Sequence, residues 1–166
     1  SARQIDVFGF SRGAAQAREF ANVVRERGIL NHETGKNFEG VNVRFLGLFD
    51  TVGSMGVPGN GVNLTYDLKL DPDFVRNARH AVAADEFRRQ FDLSSISASD
   101  GEMASEGFEE RYFRGTHSDI GGGNAPGSQG KPNSLGRATL HWVQRGASAG
   151  GGPPQRGFWG GFGGGG

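Results

Sequence analysis

Apolar residues fall in short blocks along this chain, and the spacing inside each block differs. Ile5, Val7, Phe8 and Phe10 form a compact run of the kind that fills a buried strand. Directly after it, Ala14, Ala17, Phe20, Ala21 and Val24 recur at helical spacing. Gly28, preceded by Arg25 and Arg27, marks the end of that helix. Residues 41–50, VNVRFLGLFD, read as a second buried strand that stops at Asp50 and Thr51. A glycine-rich stretch at 53–64 reads as a loop. RHAVAADEFRRQF at 79–91 starts as a short strand and turns polar. Residues 94–107 read as a polar surface loop, and FEERYFRG at 108–115 as a strand of alternating character. The helical pattern returns at 134–147, with Ser134 as a cap and Leu135, Ala138 and Trp142 as one face.

Strand, helix, three further strands and a closing helix predict an α/β architecture with a mostly parallel sheet and flanking helices. Ser11, Asp50, Asp85 and His117 all come just after strand ends. In open α/β sheets the crevice beyond the carboxyl ends of the strands is where ligands bind.

Composition narrows the picture. The chain has 166 residues, with 18 basic and 18 acidic side chains, a balance that gives no attraction toward nucleic acid. It has no cysteine, hence neither a disulfide framework nor a thiolate metal site. No apolar run is long enough to span a membrane, and no signal-peptide pattern is present. The glycines crowd at the C-terminal end, where residues 146–166 hold eleven of the 30. Such a segment buries too little apolar surface to offset its ordering entropy. The expected division is a catalytic-type domain over 1–147 and a disordered glycine-rich tail over 148–166. The opening SARQIDVFGF reads as the start of a fragment cut from a longer protein.

Gly9-Phe10-Ser11-Arg12-Gly13 fits G-x-S-x-G, the pattern of a nucleophile elbow. A sharp strand-to-helix turn lifts the serine hydroxyl into the open, and Gly9 and Gly13 relieve crowding where strand and helix nearly touch. The Arg12 N–H, at the positive end of the helix, is then placed for a developing oxyanion. The pattern alone is weak, and a plain turn is the alternative. The strand before it and the Ala-rich helix after it favour the nucleophile.

A serine nucleophile needs a base, and the base an orienting acid. Of the four histidines, His32 lies in a polar loop. His80 opens a short strand as a structural residue, and His141 takes a packing position beside Trp142. His117 follows a strand and enters a glycine-rich loop, which makes it the candidate base. Asp50 is the chosen acid. Asp85 is the alternative, read instead as part of an ion-pair cluster with Arg88 and Arg89, and Asp119 as a loop anchor. Asp67, Asp71 and Asp73 lack the glycine and terminal glutamate of a calcium loop, and Gly121–Gly123 lack the lysine of a phosphate loop. No metal or cofactor is expected.

Four segments, DVFGFSRGAAQAREFAN, VRFLGLFDTVGS, RHAVAADEFRRQF and RGTHSDIGGG, together resemble the α/β-hydrolase catalytic domain of the type VI secretion lipase effectors, whose elbow reads G-F-S-R-G. The resemblance runs in order over residues 5–147. It implies a secreted serine esterase acting on membrane phospholipid, with Ser11 as nucleophile, Asp50 as acid and His117 as base. It also implies a secretion-apparatus partner, an immunity-protein partner, and upstream strands that supply a second oxyanion donor. Two alternatives stay open: a non-catalytic module built on the same elements, and a soluble esterase.

Overall fold

The computed structural model describes residues 3–53, 67–85, 94–97, 101–122 and 134–149. Residues 150–166 of the expected tail at 148–166, most of the loop at 53–64, and Arg88 and Arg89 lie outside the described residues. Among the described residues the elements follow in chain order: β1 (Arg3–Phe10), α1 (Arg12–Arg27), β2 (Leu30–Asn31), β3 (Lys36–Asn37), β4 (Val41–Phe49), β5 (Val75–Ala83), β6 (Phe108–Phe113), α2 (His117–Ile120) and α3 (Ser134–Ala149). The main sheet has the order β1-β4-β5-β6, and every pair in it is parallel. This is the α/β architecture expected. A short antiparallel pair, β2 with β3, was not foreseen.

The sheet is covered on both faces, which is why β4 reads as a continuous apolar run. On one face Ala14, Ala17 and Ala21 of α1 pack on Val43, Leu46, Leu48, Val75 and Ala78. On the other, Trp142, Val143 and Ala147 of α3 pack on Phe45, Phe49 and Ala81. Small alanines let α1 lie close to the sheet. Arg44 is an extra residue against β1, since Ile5 pairs with Val43 and Asp6 with Phe45. Its guanidinium pairs with Asp6 and donates to the Ala147 carbonyl, which fastens α3 to the sheet.

Several expectations need correction. Phe20 is exposed rather than part of the α1 seam, while Arg18 and Asn22 are buried. Both donate to the carbonyls of residues 67–69, so α1 captures a neighbouring strap of chain as well as the sheet. β5 begins at Val75, earlier than its apolar pattern suggested, because Arg76, Asn77 and Arg79 interrupt that pattern. The segment at 94–107 is more than a surface loop: Ile96 is buried in the core and Met103 packs against it. In α3 the buried face is Thr139, Trp142, Val143, Gly146 and Ala147. Leu135, Ala138 and His141 are exposed, so His141 has no packing role. The helix also continues to Ala149, two residues past the expected domain boundary. Among the described residues, no helix is long and apolar enough to cross a membrane.

Candidate active site

Parallel strands end on one edge of the sheet, and the candidate residues gather there. Ser11 sits between β1 and α1 with φ 59° and ψ −120°, a left-handed conformation that a serine adopts only under constraint. Its backbone supplies that constraint. Ser11 N–H donates to the Phe49 carbonyl at 2.8 Å. The Ser11 carbonyl accepts from Ala14, Ala15 and Val52. The elbow is thus tied to its own helix and to the end of β4.

Gly9 explains why strand and helix can approach so closely. A Cβ there would stand 2.3 Å from the Gly13 carbonyl oxygen and 2.7 Å from Ala14 Cα. Gly13 differs from expectation: a Cβ on it meets nothing within 4 Å, so the crowding is one-sided. Arg12 is the first residue of α1, and its amide lies at the positive end of the helix.

Asp50 directly follows β4, is completely buried, and also has positive φ, at 48°. Its N–H donates to the Ala81 carbonyl at 2.7 Å, and its Oδ1 accepts the Ala83 N–H at 3.1 Å. The other carboxylate oxygen, Oδ2, lies 2.5 Å from His117 Nδ1. His117 Nε2 lies 2.8 Å from Ser11 Oγ. The structure therefore brings Ser11, His117 and Asp50 into one line, from a half-buried hydroxyl through a half-buried ring to a buried carboxylate.

His117 opens α2, and local contacts fix its place. Gly115, at φ 119°, makes the turn out of β6, where a side chain would be strained. Thr116 and Asp119 form a capping box: Asp119 Oδ2 accepts from both the Thr116 N–H and its hydroxyl at 2.9 Å. Asp119 is thus the loop anchor expected: its side chain braces Thr116, and its carbonyl accepts from the Gly122 N–H. Asp85 does not reach His117. Its carboxylate accepts the Gly115 N–H at 2.7 Å and so holds the loop that carries the histidine.

Two further residues make contacts that the sequence pattern does not show. Phe10 lies against the His117 ring. Glu110 of β6 bonds to His80, which is fully buried in mid-strand rather than at a strand's opening. Burial pushes the His80 imidazolium below the ordinary histidine value, and the Glu110 carboxylate opposes this without reversing it. Burial also works to raise Glu110, yet hydrogen bonds from His80, the Ile96 N–H and Ser95 together hold it below the usual carboxylate value. Arg18 is pushed down to about 10 by burial, with Glu110 and Asp67 opposing, and stays cationic at neutral pH. Among the described residues, no group of three or more His, Cys, Asp or Glu side chains is placed to hold a metal ion.

Comparison with protein families matches residues 35–146 to the catalytic domain of the type VI secretion system (T6SS) Tle1-like phospholipase effectors. The chain belongs to this family. The matched span contains Asp50 and His117 and begins after Ser11, so it does not itself test the elbow. Two solved structures resemble this Tle1-like chain. One is an uncharacterized protein from Pseudomonas aeruginosa, with 28% identity, 93% of this chain covered and a TM-score of 0.67. The other is the Tle1 effector bound to the VgrG spike of the type 6 secretion system, with 39% identity, 74% of this chain covered and a TM-score of 0.59. The chain spans about a quarter of each, 24% and 25% of their lengths. Comparison with curated proteins finds no match.

Proposed function

We propose that this segment is the catalytic core of a serine-dependent phospholipase delivered by a type VI secretion system. One observation carries the reading: His117 contacts Ser11 Oγ through Nε2 at 2.8 Å and Asp50 through Nδ1 at 2.5 Å. Bonding to Asp50 keeps the proton on Nδ1 and leaves Nε2 as the base. Ser11 Oγ attacks the ester carbonyl carbon while its proton passes to His117 Nε2. The Arg12 N–H, at the start of α1, stabilises the oxyanion of the tetrahedral intermediate. Collapse expels the lysophospholipid alcohol, which takes the proton from Nε2 and leaves an acyl-Ser11 ester. Water then attacks that ester, giving its proton to Nε2. The fatty acid departs, and the proton returns to Ser11 Oγ.

Family membership supports the lipid ester as substrate, and likeness to an effector solved on a VgrG spike supports delivery by that apparatus. A target in rival bacteria, and an immunity protein in the producer, belong to the same proposal. The test is release of fatty acid from phospholipid vesicles by the protein and by Ser11→Ala, alongside labelling by a fluorophosphonate probe. Loss of both in the variant is expected. Full hydrolysis by Ser11→Ala overturns the mechanism. Labelling with turnover of soluble esters but none of vesicles overturns the lipid assignment.

A further inference from the structure

A second carboxylate–imidazole pair lies beside the acid, and the chemistry above does not use it. His80 in β5 stands directly opposite Glu110 in β6. Its Nδ1 is 2.9 Å from Glu110 Oε2, and its Nε2 is 3.0 Å from the backbone nitrogen of Thr51. One protonation state satisfies both contacts. The Thr51 amide can only donate, so Nε2 must be the bare acceptor. Nδ1 then carries the proton and donates to the carboxylate. Glu110 is held in turn by Ser95 Oγ and the Ile96 N–H, and the Ser94 and Ser95 carbonyls accept from Arg18 of α1. A buried network thus runs from the nucleophile's helix to the residue after the acid.

At its end stands the turn at 50–52. Three successive amides there go to three different places. Asp50 N–H donates to the Ala81 carbonyl, Thr51 N–H to His80, and Val52 N–H to the Ser11 carbonyl. The chain leaves β4 here through Asp50 at φ 48°, an unfavourable conformation that persists only where the surroundings impose it. Thr51 is completely buried, so its N–H depends on a protein acceptor. A leucine in place of His80 offers no acceptor, and a lysine only donors. Imidazole carries a donor at one edge and an acceptor at the other, and so bridges Glu110 to Thr51.

We propose that His80 and Glu110 are positioning residues that hold the Asp50–Thr51 turn, and with it the Asp50 carboxylate, in line with His117. This rests on the reading of Asp50 as the acid. Two variants divide the contacts of His80. His80→Asn places an amide NH₂ near the Nδ1 position, keeping the donor to Glu110 and losing the acceptor for Thr51. His80→Gln reaches the Nε2 position with its carbonyl oxygen and keeps that acceptor. In the positioning role, His80→Gln keeps kcat within about threefold and His80→Asn loses about tenfold or more, both with KM little changed.

Nitrogen-15 histidine NMR supplies readouts that do not need activity. In the unmodified protein at neutral pH, His80 shows a protonated Nδ1 and a bare Nε2; the opposite tautomer overturns the proposal whether or not any variant folds. The downfield Nδ1 proton of His117, bonded to Asp50, persists in His80→Gln and shifts or broadens in His80→Asn. Equal behaviour of the two folded variants, or a His80→Asn protein with unaltered resonance and kcat, overturns it. Asp50→Asn separates the two readings. Where that variant is as active as the parent, the acid assignment fails. Where it is inactive while His80→Asn is fully active, the positioning role alone fails.

Discussion

Phe10, the residue immediately before Ser11, packs its ring on the imidazole of His117, with centroids 4.7 Å apart and planes inclined by 30°. The junction of β1 and α1 therefore supplies both the serine and a wall for the base that would activate it. An aromatic contact of this kind is worth about 0.5–1.5 kcal/mol beyond the area it buries. Gly121 also lies against the Phe10 ring, where a Cβ would stand 2.5 Å from Cε2 and Cζ. Phe10→Ala is expected to lower kcat by roughly tenfold or less with the fold retained. Gly121→Ala, by forcing the ring off its place, is expected to lower kcat as well. The double variant with Phe10→Ala should then cost less than the two single losses combined. Ester hydrolysis by the three proteins checks this coupling, and strict additivity refutes it.

The glycines flanking the elbow are expected to behave unequally. Gly9→Ala drives a methyl group into the backbone of Gly13 and Ala14, so neither partner can yield by rotating a side chain. It should reduce folded protein sharply and abolish hydrolysis. Gly13→Ala meets nothing within 4 Å and replaces glycine inside the first turn of α1. It should preserve the fold and stabilise it by about 0.5–1 kcal/mol, the usual helical difference between the two residues. Denaturant titration of both variants provides the comparison.

The chain's own pattern made part of this legible. The elbow stood out because an apolar run stops at Gly9-Phe10-Ser11 and alanines at helical spacing start at once, a local signal. Asp50 and His117 stood out because each follows a strand end, and a parallel sheet brings such ends to one edge. What was hidden depends on register between distant strands. Nothing local shows that His80 and Glu110 face each other, or that Arg18 and Asn22 reach the carbonyls of 67–69. The first half of β5 is hidden because Arg76, Asn77 and Arg79 interrupt the apolar alternation, although Arg79 packs along Trp142 and donates to its carbonyl. The buried face of α3 is hidden for a similar reason. Thr139 is polar in sequence but buries its hydroxyl by bonding the carbonyls of Gly136 and Ile120.

Asp50 and Asp85 both follow strands, and their substitution separates the roles proposed for them. Asp50→Asn keeps an acceptor for the Ala83 N–H and so preserves the buried turn. It replaces the carboxylate facing His117 Nδ1 with a neutral amide, which no longer fixes the tautomer or offsets the imidazolium charge. A drop in kcat of about 10⁴ is expected, the scale seen when a serine hydrolase loses this charge. Asp85→Asn leaves an acceptor for the Gly115 N–H and does not touch His117. Its activity should stay within about tenfold of the parent, a loss reflecting only a looser loop. Kinetics on one ester substrate test both, and a larger loss in Asp85→Asn than in Asp50→Asn reverses the assignment.

His80 and Glu110 also set a pH dependence of stability, with the same sign from both. His80 is depressed below its ordinary value of 6.5, chiefly by burial, so the folded protein binds its proton less readily than the unfolded chain does. Its contribution is present above about 6.5 and is lost as pH falls below that value. Glu110 is held below its ordinary 4.5, so its contribution is lost in a lower window, as pH falls through and below that value. Stability toward denaturant should therefore decline in two stages on acidification, the first between pH 7 and 5. His80→Gln removes the titrating ring while keeping the Thr51 acceptor, so it should flatten the first stage. The second should shrink with the loss of the His80 bond to Glu110 but remain, since the Ile96 N–H and Ser95 still hold that carboxylate. Unfolding midpoints at pH 7.5, 5.5 and 4 compare the two proteins. An unchanged slope between pH 7 and 5 in His80→Gln assigns the acid sensitivity to other groups, and a parent that gains stability there contradicts the neutral state of His80.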